Sequence, residues 1–210
     1  MPAPLDFARD ERNGYMSELR PDLAIIADHV KRGSRVLDVG CGDGELMDIL
    51  RAKGCDARGI EIDRDNVSLA VARGLSVVQG DADTDLVNYP DDAYDYAILS
   101  QTLQSARVPD KVLADLLRIG QRAFVSFPNF AYWRVRWSLA WGGRMPVTPA
   151  LPVSWYETQN IHQLTIDDFR AFVAERGVTV ENAWFLTGDR RRGAAGANLL
   201  AEHALFLLKR

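Results

Sequence analysis

A short apolar run followed by a glycine-rich turn constrains the fold of this chain more than any other segment. Residues 35–39 (Arg-Val-Leu-Asp-Val) form a run typical of a parallel strand that is buried on both faces. Gly40, Gly42 and Gly44 follow, and glycine lets a backbone turn tightly and approach a ligand without a Cβ in the way. Such a turn at the start of a helix is where α/β folds bind nucleotide-like ligands.

The glycine spacing separates two classes of ligand. A dinucleotide site needs its third glycine three residues after the second, where this chain has Glu45. A carboxylate in the first helical turn also opposes a pyrophosphate electrostatically. Asp38, just before the turn, suits a ligand that carries an ammonium group. The pattern therefore favours S-adenosylmethionine (SAM), which has an ammonium and a sulfonium but no phosphate, over a dinucleotide.

Acidic and polar residues follow three further predicted strands. Glu61 lies about 20 residues past the glycines, where a carboxylate accepts hydrogen bonds from ribose hydroxyls. Asp81 follows the next strand and suits the adenine edge, and Ser100 follows the strand after that. The carboxyl ends of parallel strands meet at one edge of a sheet, so these residues predict one site there. The candidate cofactor-binding residues are Asp38, Gly40, Cys41, Gly42, Gly44, Glu61, Ile62, Asp81, Ala82 and Ser100.

Strands and helices alternate along most of the chain, which predicts an α/β fold with a doubly wound, Rossmann-like sheet between two helical layers (αβα). Residues 1–20 are expected to form a flexible leader and residues 21–210 a single domain. The predicted strands are 35–39, 57–61, 75–79, 94–99, 122–127, 179–186 and 198–208, and the predicted helices include 45–53, 65–73, 109–119 and 165–176. An arginine run, 190–192, is expected in the loop of the terminal hairpin. The arrangement resembles the seven-stranded class I SAM-dependent methyltransferase fold, whose last strand is antiparallel.

Residues 129–164 form an insertion that a minimal fold of this kind does not need. Asn129 is predicted to cap a helix over 130–141, which would place three tryptophans on one stripe at four-residue spacing. The stripe either packs back on the domain or forms a partner surface or lid, since tryptophan and arginine are enriched at binding hot spots. The candidate partner-binding residues are Trp133, Arg134, Arg136, Trp137 and Trp141.

Composition limits the remaining classes of function. A net charge of −4 provides no basic field for nucleic acid or anionic lipid. No apolar run reaches membrane-spanning length, and the charged N-terminus is unlike a signal peptide, so we expect a cytoplasmic protein. The two cysteines form no metal-binding motif. His162 is the one candidate general base, and a structural role for it is the more common alternative.

Several longer strings resemble the methionine biosynthesis protein MetW family. They are Leu19–Leu23, Arg35–Leu46, Gly59–Asp63, Ile98–Gln104, Val125–Phe130, Trp133–Arg136, Gly143–Thr148 and Asn160–His162. The resemblance spans about residues 19–185. It implies a role in methionine biosynthesis beside a homoserine O-acyltransferase, acetyl or succinyl, which family members are thought to bind and activate.

Two hypotheses about function follow. The first is an accessory subunit that binds SAM or S-adenosylhomocysteine (SAH) and activates the acyltransferase. The second is an active small-molecule methyltransferase, although no acceptor signature follows the strand 94–99, which runs into Ser-Gln-Thr-Leu-Gln. The sequence leaves the oligomeric state open, a homodimer included.

Overall fold

The computed structural model describes residues 19–148 and 151–210, so most of the predicted leader lies outside the described residues. The helices are α1 (Pro21–His29), α2 (Glu45–Ala52), α3 (Arg64–Ala72), α4 (Pro109–Ile119), α5 (Trp133–Trp137), α6 (Ile166–Glu175) and α7 (Ala197–Leu200). The strands are β1 (Arg35–Val39), β2 (Asp56–Glu61), β3 (Ser76–Gln79), β4 (Tyr94–Ser100), β5 (Gly120–Pro128), β6 (Thr179–Thr187), β7 (Arg190–Arg192) and β8 (His203–Lys209). Short 3₁₀ turns lie at Leu86–Asn88 and Leu103–Ser105, and a π-helical segment at Ser138–Gly142.

The strands form one mixed sheet in the order β3-β2-β1-β4-β5-β8-β6-β7. Strands β1 to β5 are parallel, and β8 runs antiparallel between β5 and β6. The predicted doubly wound α/β sheet with an antiparallel last strand is therefore confirmed. The chain reverses its direction of winding between β1 and β4, and open α/β sheets bind ligands at the carboxyl ends of the strands beside such a point.

The sheet has eight strands rather than the predicted seven. The arginine run expected in a loop forms β7, which pairs antiparallel with the end of β6 and stays exposed. The predicted start of the last strand is also wrong. Gly196, with φ of +71°, begins the short helix α7 instead, and β8 starts at His203.

Apolar side chains cover both faces of the sheet, which confirms the predicted αβα layers. Adjacent residues of a strand point to opposite faces, and neighbours in β1 accordingly belong to different clusters. Leu37 lies in the cluster that contains Phe127 and Leu116 of α4. Val36 lies in the cluster that contains Ile26 of α1 and side chains of α2. The site at the strand ends is thus supported by a core on each side.

The insertion differs from its prediction. The expected single helix over 130–141 is instead α5 followed directly by the π-helical segment. Asn129 accepts from the N–H of Ala131 in the turn that precedes α5, but the helix begins only at Trp133, so Asn129 does not cap it. This side chain is 2% exposed, its Oδ1 accepts from the N–H of Ile166, and its amide donates to the carbonyl of Ala201. Asn129 therefore ties the start of the insertion to α6 and to the end of α7, because a buried amide needs partners on both its oxygen and its nitrogen.

Helix α6 begins as its sequence predicts. Thr165 accepts from the N–H of Asp168, and the Asp168 carboxylate accepts from the N–H of Thr165, which completes the capping box. Within residues 19–148 and 151–210, no helix is long and apolar enough to cross a membrane.

Candidate functional site

The glycine turn between β1 and α2 has a backbone that only glycine adopts readily. Gly40, Gly42 and Gly44 have φ values of +72°, +55° and +88°. A Cβ on Gly40 would lie 2.5 Å from Oγ1 of Thr102, and one on Gly44 would overlap the side chain of Leu75. A Cβ on Gly42 would meet no atom within 4 Å. The turn is therefore packed tightly at its two ends and open at its middle, where a ligand can approach.

Glu61, at the end of β2, fastens this turn to the neighbouring strand. Its Oε2 accepts from the N–H of Gly42 at 2.8 Å, and its Oε1 accepts from the N–H of Asp63 at 2.9 Å. The residue is 8% exposed. Because each carboxylate oxygen can accept two hydrogen bonds, Glu61 holds the turn and still has acceptor capacity for the hydroxyls of a ligand.

Cys41 lies underneath the turn. It is buried, and a Cβ on Gly59 of β2 would come within 2.6 Å of its Sγ. Burial, followed by the nearby charges of Asp38 and Glu61, raises the pKa of the thiol far above its ordinary value. Cys41 is thus a small, protonated packing residue, and its place in the site is structural.

A cavity of about 390 Å³ opens beside the turn, at the carboxyl ends of β1, β2, β3 and β4. The predicted cofactor-binding residues that line it are Gly40, Ile62, Asp81 and Ala82. Asp38, Cys41, Gly42, Gly44 and Glu61 belong to the turn and the strand ends next to it. The insertion also lines this cavity, through Gln159 and Ile161. Sequence reasoning missed these two residues because an irregular segment carries no periodic signal for the strand ends over which it folds.

Asp81 faces the cavity with its carboxylate already engaged. Its Oδ2 accepts from the guanidinium of Arg107 at 2.5 Å, and its Oδ1 accepts from the N–H of Asp83 at 2.9 Å. Asp83 in turn accepts from the backbone N–H groups of Arg107 and Val108. The side chain of Arg107 is 66% exposed, so its ion pair with Asp81 is accessible to solvent. Sequence reasoning did not find Arg107.

Asp38 is almost fully enclosed, at 3% exposure. Burial raises the pKa of its carboxyl from 3.8 to about 7; Arg20 opposes this rise, and the charges of Glu61 and Asp22 add to it. Since the pKa is higher in the folded chain than in the unfolded chain, protonation of Asp38 stabilises the fold. That contribution is complete below about pH 3.8 and is lost as the pH rises through about 7. Where Asp38 is ionised, its enclosed negative charge favours a cationic ligand.

Ser100 does not line the cavity; it belongs to a buried polar cluster behind the turn. The Asp22 carboxylate, 3% exposed, accepts from the hydroxyls of Ser100 at 2.8 Å and Ser126 at 2.7 Å. Arg20 donates to both Asp22 and Ser100. Sequence reasoning missed Asp22 and Ser126 as site residues. The signal for Ser126 was present, since it lies near the carboxyl end of β5, next to the strand that ends at Ser100.

His162 does not line the cavity beside the turn. It borders a separate pocket with Phe169 and Phe172 of α6, and its N–H donates to the carbonyl of Gln104 at 2.9 Å. The backbone contact fixes the insertion onto the loop after β4. The structure therefore places the candidate general base outside the cavity. Among the described residues, no cluster of His, Cys, Asp and Glu could hold a metal ion.

The side chains of the tryptophan stripe are exposed to different degrees. Trp133, Trp137 and Trp141 are 43%, 57% and 73% exposed. The rings of Trp137 and Trp141 stack at 4.0 Å between centroids, and the guanidinium of Arg134 lies 5.4 Å from the centroid of Trp133. An exposed aromatic patch of this kind is a candidate interaction surface. Because none of these side chains lines the cavity, the part of the insertion that covers it is the later segment with Gln159 and Ile161.

Replacing Gly44 with alanine is expected to destabilise the fold by about 2–4 kcal/mol, because the left-handed backbone and the overlap with Leu75 both oppose a Cβ. Urea unfolding measures the change. Gly54 provides a matched control, since its φ is +84° but its Cβ would meet nothing within 4 Å. Gly54→Ala should cost only the backbone strain, about 1–2 kcal/mol. Equal losses in the two variants would show that Leu75 does not restrict the turn.

A family model described as methionine biosynthesis protein MetW matches residues 20–208 of the chain. A bifunctional methionine biosynthesis protein MetXA/MetW from Rhodopirellula baltica is 31% identical over 205 residues, which is 91% of this chain and 33% of that protein. The ubiquinone biosynthesis O-methyltransferase of Aeromonas salmonicida is 32% identical over 108 residues, 46% of this chain and 44% of that protein. The chain thus spans less than half the length of these relatives.

Solved structures of SAM-dependent methyltransferases share the fold. One from Archaeoglobus fulgidus aligns with a TM-score of 0.69 over 98% of this chain and 100% of that chain, at 14% identity. The magnesium protoporphyrin IX methyltransferase of Synechocystis PCC 6803, solved with bound SAH, aligns with a TM-score of 0.64 over 100% of this chain and 90% of that chain, at 17% identity. At these identities the likeness shows the fold alone.

Proposed function

Since this chain belongs to the MetW family of methionine biosynthesis proteins, we propose that it is an accessory subunit of a homoserine O-acyltransferase. In this proposal the chain binds SAM or SAH, and it binds and activates the acyltransferase, which transfers an acetyl or a succinyl group. The observation that supports the partner most strongly is the Rhodopirellula baltica relative, which joins a MetXA part and a MetW part in one chain. Covalent linkage keeps two parts at high effective concentration. Such linkage favours contact between parts that act together.

The residues around the cavity fit the proposed cofactor. Glu61 offers carboxylate oxygens to ribose hydroxyls, and the open face of Gly42 allows the backbone to approach the ligand. Asp81 and Ala82 line the part of the cavity that would take the adenine. Asp38 supplies the negative charge that an ammonium needs. Two buried carboxylates around one turn would repel a pyrophosphate, so the electrostatics support a nucleoside with a cationic tail.

The pKa of Asp38 makes cofactor affinity depend on pH. Below about pH 7 the carboxyl is protonated, and a neutral acid holds an ammonium less tightly. Affinity for SAH should therefore rise about tenfold or more from about pH 5.5 to about pH 7.5, just below the range where an α-amino group titrates. Calorimetry measures the profile. The Asp38→Asn variant should bind weakly with a flat profile, and a wild-type profile that is equally flat would contradict this role.

The tryptophan stripe is the surface that we propose for the acyltransferase. It combines three exposed tryptophans with Arg134 and Arg136, the residue types that dominate binding energies at protein interfaces. Their exposure in the isolated chain leaves them available to a partner. The insertion that carries them also lines the cofactor cavity, so a ligand there and a partner on the stripe would contact the same segment.

Co-purification tests the complex directly. A tagged form of this protein should retain the homoserine O-acyltransferase from the same source at a fixed stoichiometry through gel filtration. The proposal fails on this point if the two purified proteins, mixed at micromolar concentrations, elute separately.

An active small-molecule methyltransferase remains the second candidate, supported by the similarity of about half the chain to ubiquinone biosynthesis O-methyltransferases. Methyl transfer from radiolabelled SAM to a metabolite extract would support it. A reproducible blank, with a Glu61→Ala variant as background, would count against it.

A further inference from the structure

Strand β3 forms one edge of the sheet, and no other strand within residues 19–148 and 151–210 pairs with its outer side. Its sequence, Ser-Val-Val-Gln, carries no charge, proline or glycine. Natural proteins protect edge strands with charged residues or proline, because an unpaired edge is a template for another strand. The opposite edge, β7, has such protection in three exposed arginines. The edge at β3 is therefore the one that is open to another strand.

The backbone groups that point outwards from β3 follow from its pairing with β2. The N–H of Gly80 donates to the carbonyl of Glu61, and the N–H and C=O groups of alternate residues in an extended strand point to the same side. Val78, two residues earlier, therefore faces β2, with which it is in parallel register. Val77 and Gln79 present their N–H and C=O groups at the free edge.

A second copy of β3 satisfies these groups when it runs antiparallel about a two-fold axis at Val78. Val77 of each copy then lies opposite Gln79 of the other and exchanges both N–H···O bonds with it, which makes four hydrogen bonds in all. The two Val78 residues lie directly opposite each other at the axis, with their Cα atoms about 4.5 Å apart. Since the net contribution of each hydrogen bond is small, a dimer also needs apolar contacts on the faces of this edge.

Such side chains lie on the face of the sheet to which Val78 points. Residues 80–93, all of which are described, contain a single 3₁₀ turn where an αβα fold places a helix. Val78 is 54% exposed, and Val87, in this turn, is 60% exposed. A groove of about 470 Å³ on β2 and β3 is lined by Val78 and by Arg58, Tyr89 and Tyr94. Pairing at Val78 would place the second copy at the mouth of this groove.

The other face of the edge is apolar as well. Helix α3 packs there on β3, and Arg73, at its end, pairs with Asp43 and with Asp48 of α2. Helical periodicity places Val67 and Val71 on the opposite flank of α3, towards the free edge. Val71 is 52% exposed. Two copies paired through β3 would bring these two flanks side by side.

The two ends of β3 differ in charge. Before the strand, the guanidinium of Arg51 donates to the carbonyl of Gly74, and after it the loop carries Asp81, Asp83 and Asp85. A second copy that runs antiparallel brings unlike ends together, whereas a parallel arrangement would bring the two acidic loops together. The charges therefore favour the same pairing as the backbone groups.

We propose that β3 is the contact between two copies of this chain, which form a two-fold dimer with one sheet continuous through both. The occupant of the edge is a second copy because backbone groups, apolar flanks and charges all match their own two-fold image. The proposal goes beyond the binding of cofactor or acyltransferase and holds whether or not either one binds.

Analytical ultracentrifugation of the full chain tests the dimer. Between about 1 and about 200 micromolar, the wild-type chain should show a monomer–dimer equilibrium with a Kd in the micromolar range. Val78→Lys replaces an exposed side chain, so it should fold, and its charge at the axis should raise the Kd about tenfold or more. Val180→Lys is the matched control, at a valine of β6 that is 38% exposed, and should leave the Kd unchanged.

Hydrogen exchange locates the contact. The amide protons of Val77 and Gln79 should exchange about tenfold or more slowly in concentrated than in dilute wild-type protein, because only the dimer bonds them. Gln79→Pro removes an outward N–H, which an edge strand tolerates, and should weaken the dimer as Val78→Lys does.

A wild-type chain that stays monomeric at the highest concentration would overturn the proposal. So would a dimer in which the amides of Val77 and Gln79 exchange as fast as in the monomer. The same holds for a dimer that Val78→Lys and Gln79→Pro leave intact while both variants melt at the wild-type temperature.

Discussion

Glu61→Ala is expected to reduce the affinity for SAH about 100-fold or more. Each hydrogen bond to a charged group is worth about 1.5–3 kcal/mol, and the variant removes the carboxylate proposed to accept both ribose hydroxyls. It also removes the acceptor that fastens Gly42 to β2, so the turn loses its support as well. Isothermal titration calorimetry with SAH measures the loss.

Two further variants separate recognition from folding. Asp56→Ala removes an exposed carboxylate at the opposite end of β2 and should leave SAH affinity within about twofold of wild type, since surface changes are usually small. Glu61→Gln keeps one oxygen for the turn and should bind with an intermediate affinity. If Glu61→Ala has an unchanged thermal transition and binds SAH as wild type does, then the cofactor site lies elsewhere.

The double variant Trp137→Ala/Trp141→Ala is expected to weaken binding to the homoserine O-acyltransferase about 30-fold or more. Interface tryptophans that act as hot spots contribute about 2 kcal/mol or more each, and non-additively when they touch. These two rings stack on each other, so their removal together avoids leaving one ring unsupported. Surface plasmon resonance with immobilised acyltransferase measures the affinity.

The matched control is Leu69→Ala. Leu69 is 54% exposed on α3, a helix that packs on β2 and β3. Loss of a similarly exposed apolar side chain there should not change acyltransferase affinity. Because the tryptophans are exposed, the double variant should also melt within a few degrees of wild type. Equal affinity of the double variant and of wild type would move the interface off the stripe.

The central part of the fold could be predicted from sequence because its signals are local. A buried apolar strand, a turn that needs positive φ at Gly40 and Gly44, and a capping box at Thr165 each dictate their own backbone. Helix α4 begins at a proline and ends before a glycine, and its predicted bounds agree with the structure. Three strand–helix units, β1–α2, β2–α3 and β4–α4, lie in this part of the fold, and the right-handedness of such crossovers leaves few topologies for the sheet.

The site was only partly predictable, because several of its contacts join distant segments. Asp22 reaches Ser126 across more than a hundred residues, and Gln159 reaches the cavity beside the glycine turn from the insertion. No spacing rule connects such residues. Asn129 illustrates the same limit: its sequence context favours a helix cap, but tertiary contacts with Ile166 and Ala201 determine its role.

The rate of the homoserine O-acyltransferase as a function of added protein tests the central claim most directly. Purified acyltransferase would be assayed with homoserine and either acetyl-CoA or succinyl-CoA, while this protein is titrated from zero to a molar excess. We predict that the rate rises several-fold and saturates near a fixed molar ratio, and that the Trp137→Ala/Trp141→Ala variant needs a much higher concentration for the same effect. A rate that stays constant with both acyl donors, over the whole titration and with SAM present, would contradict the proposal.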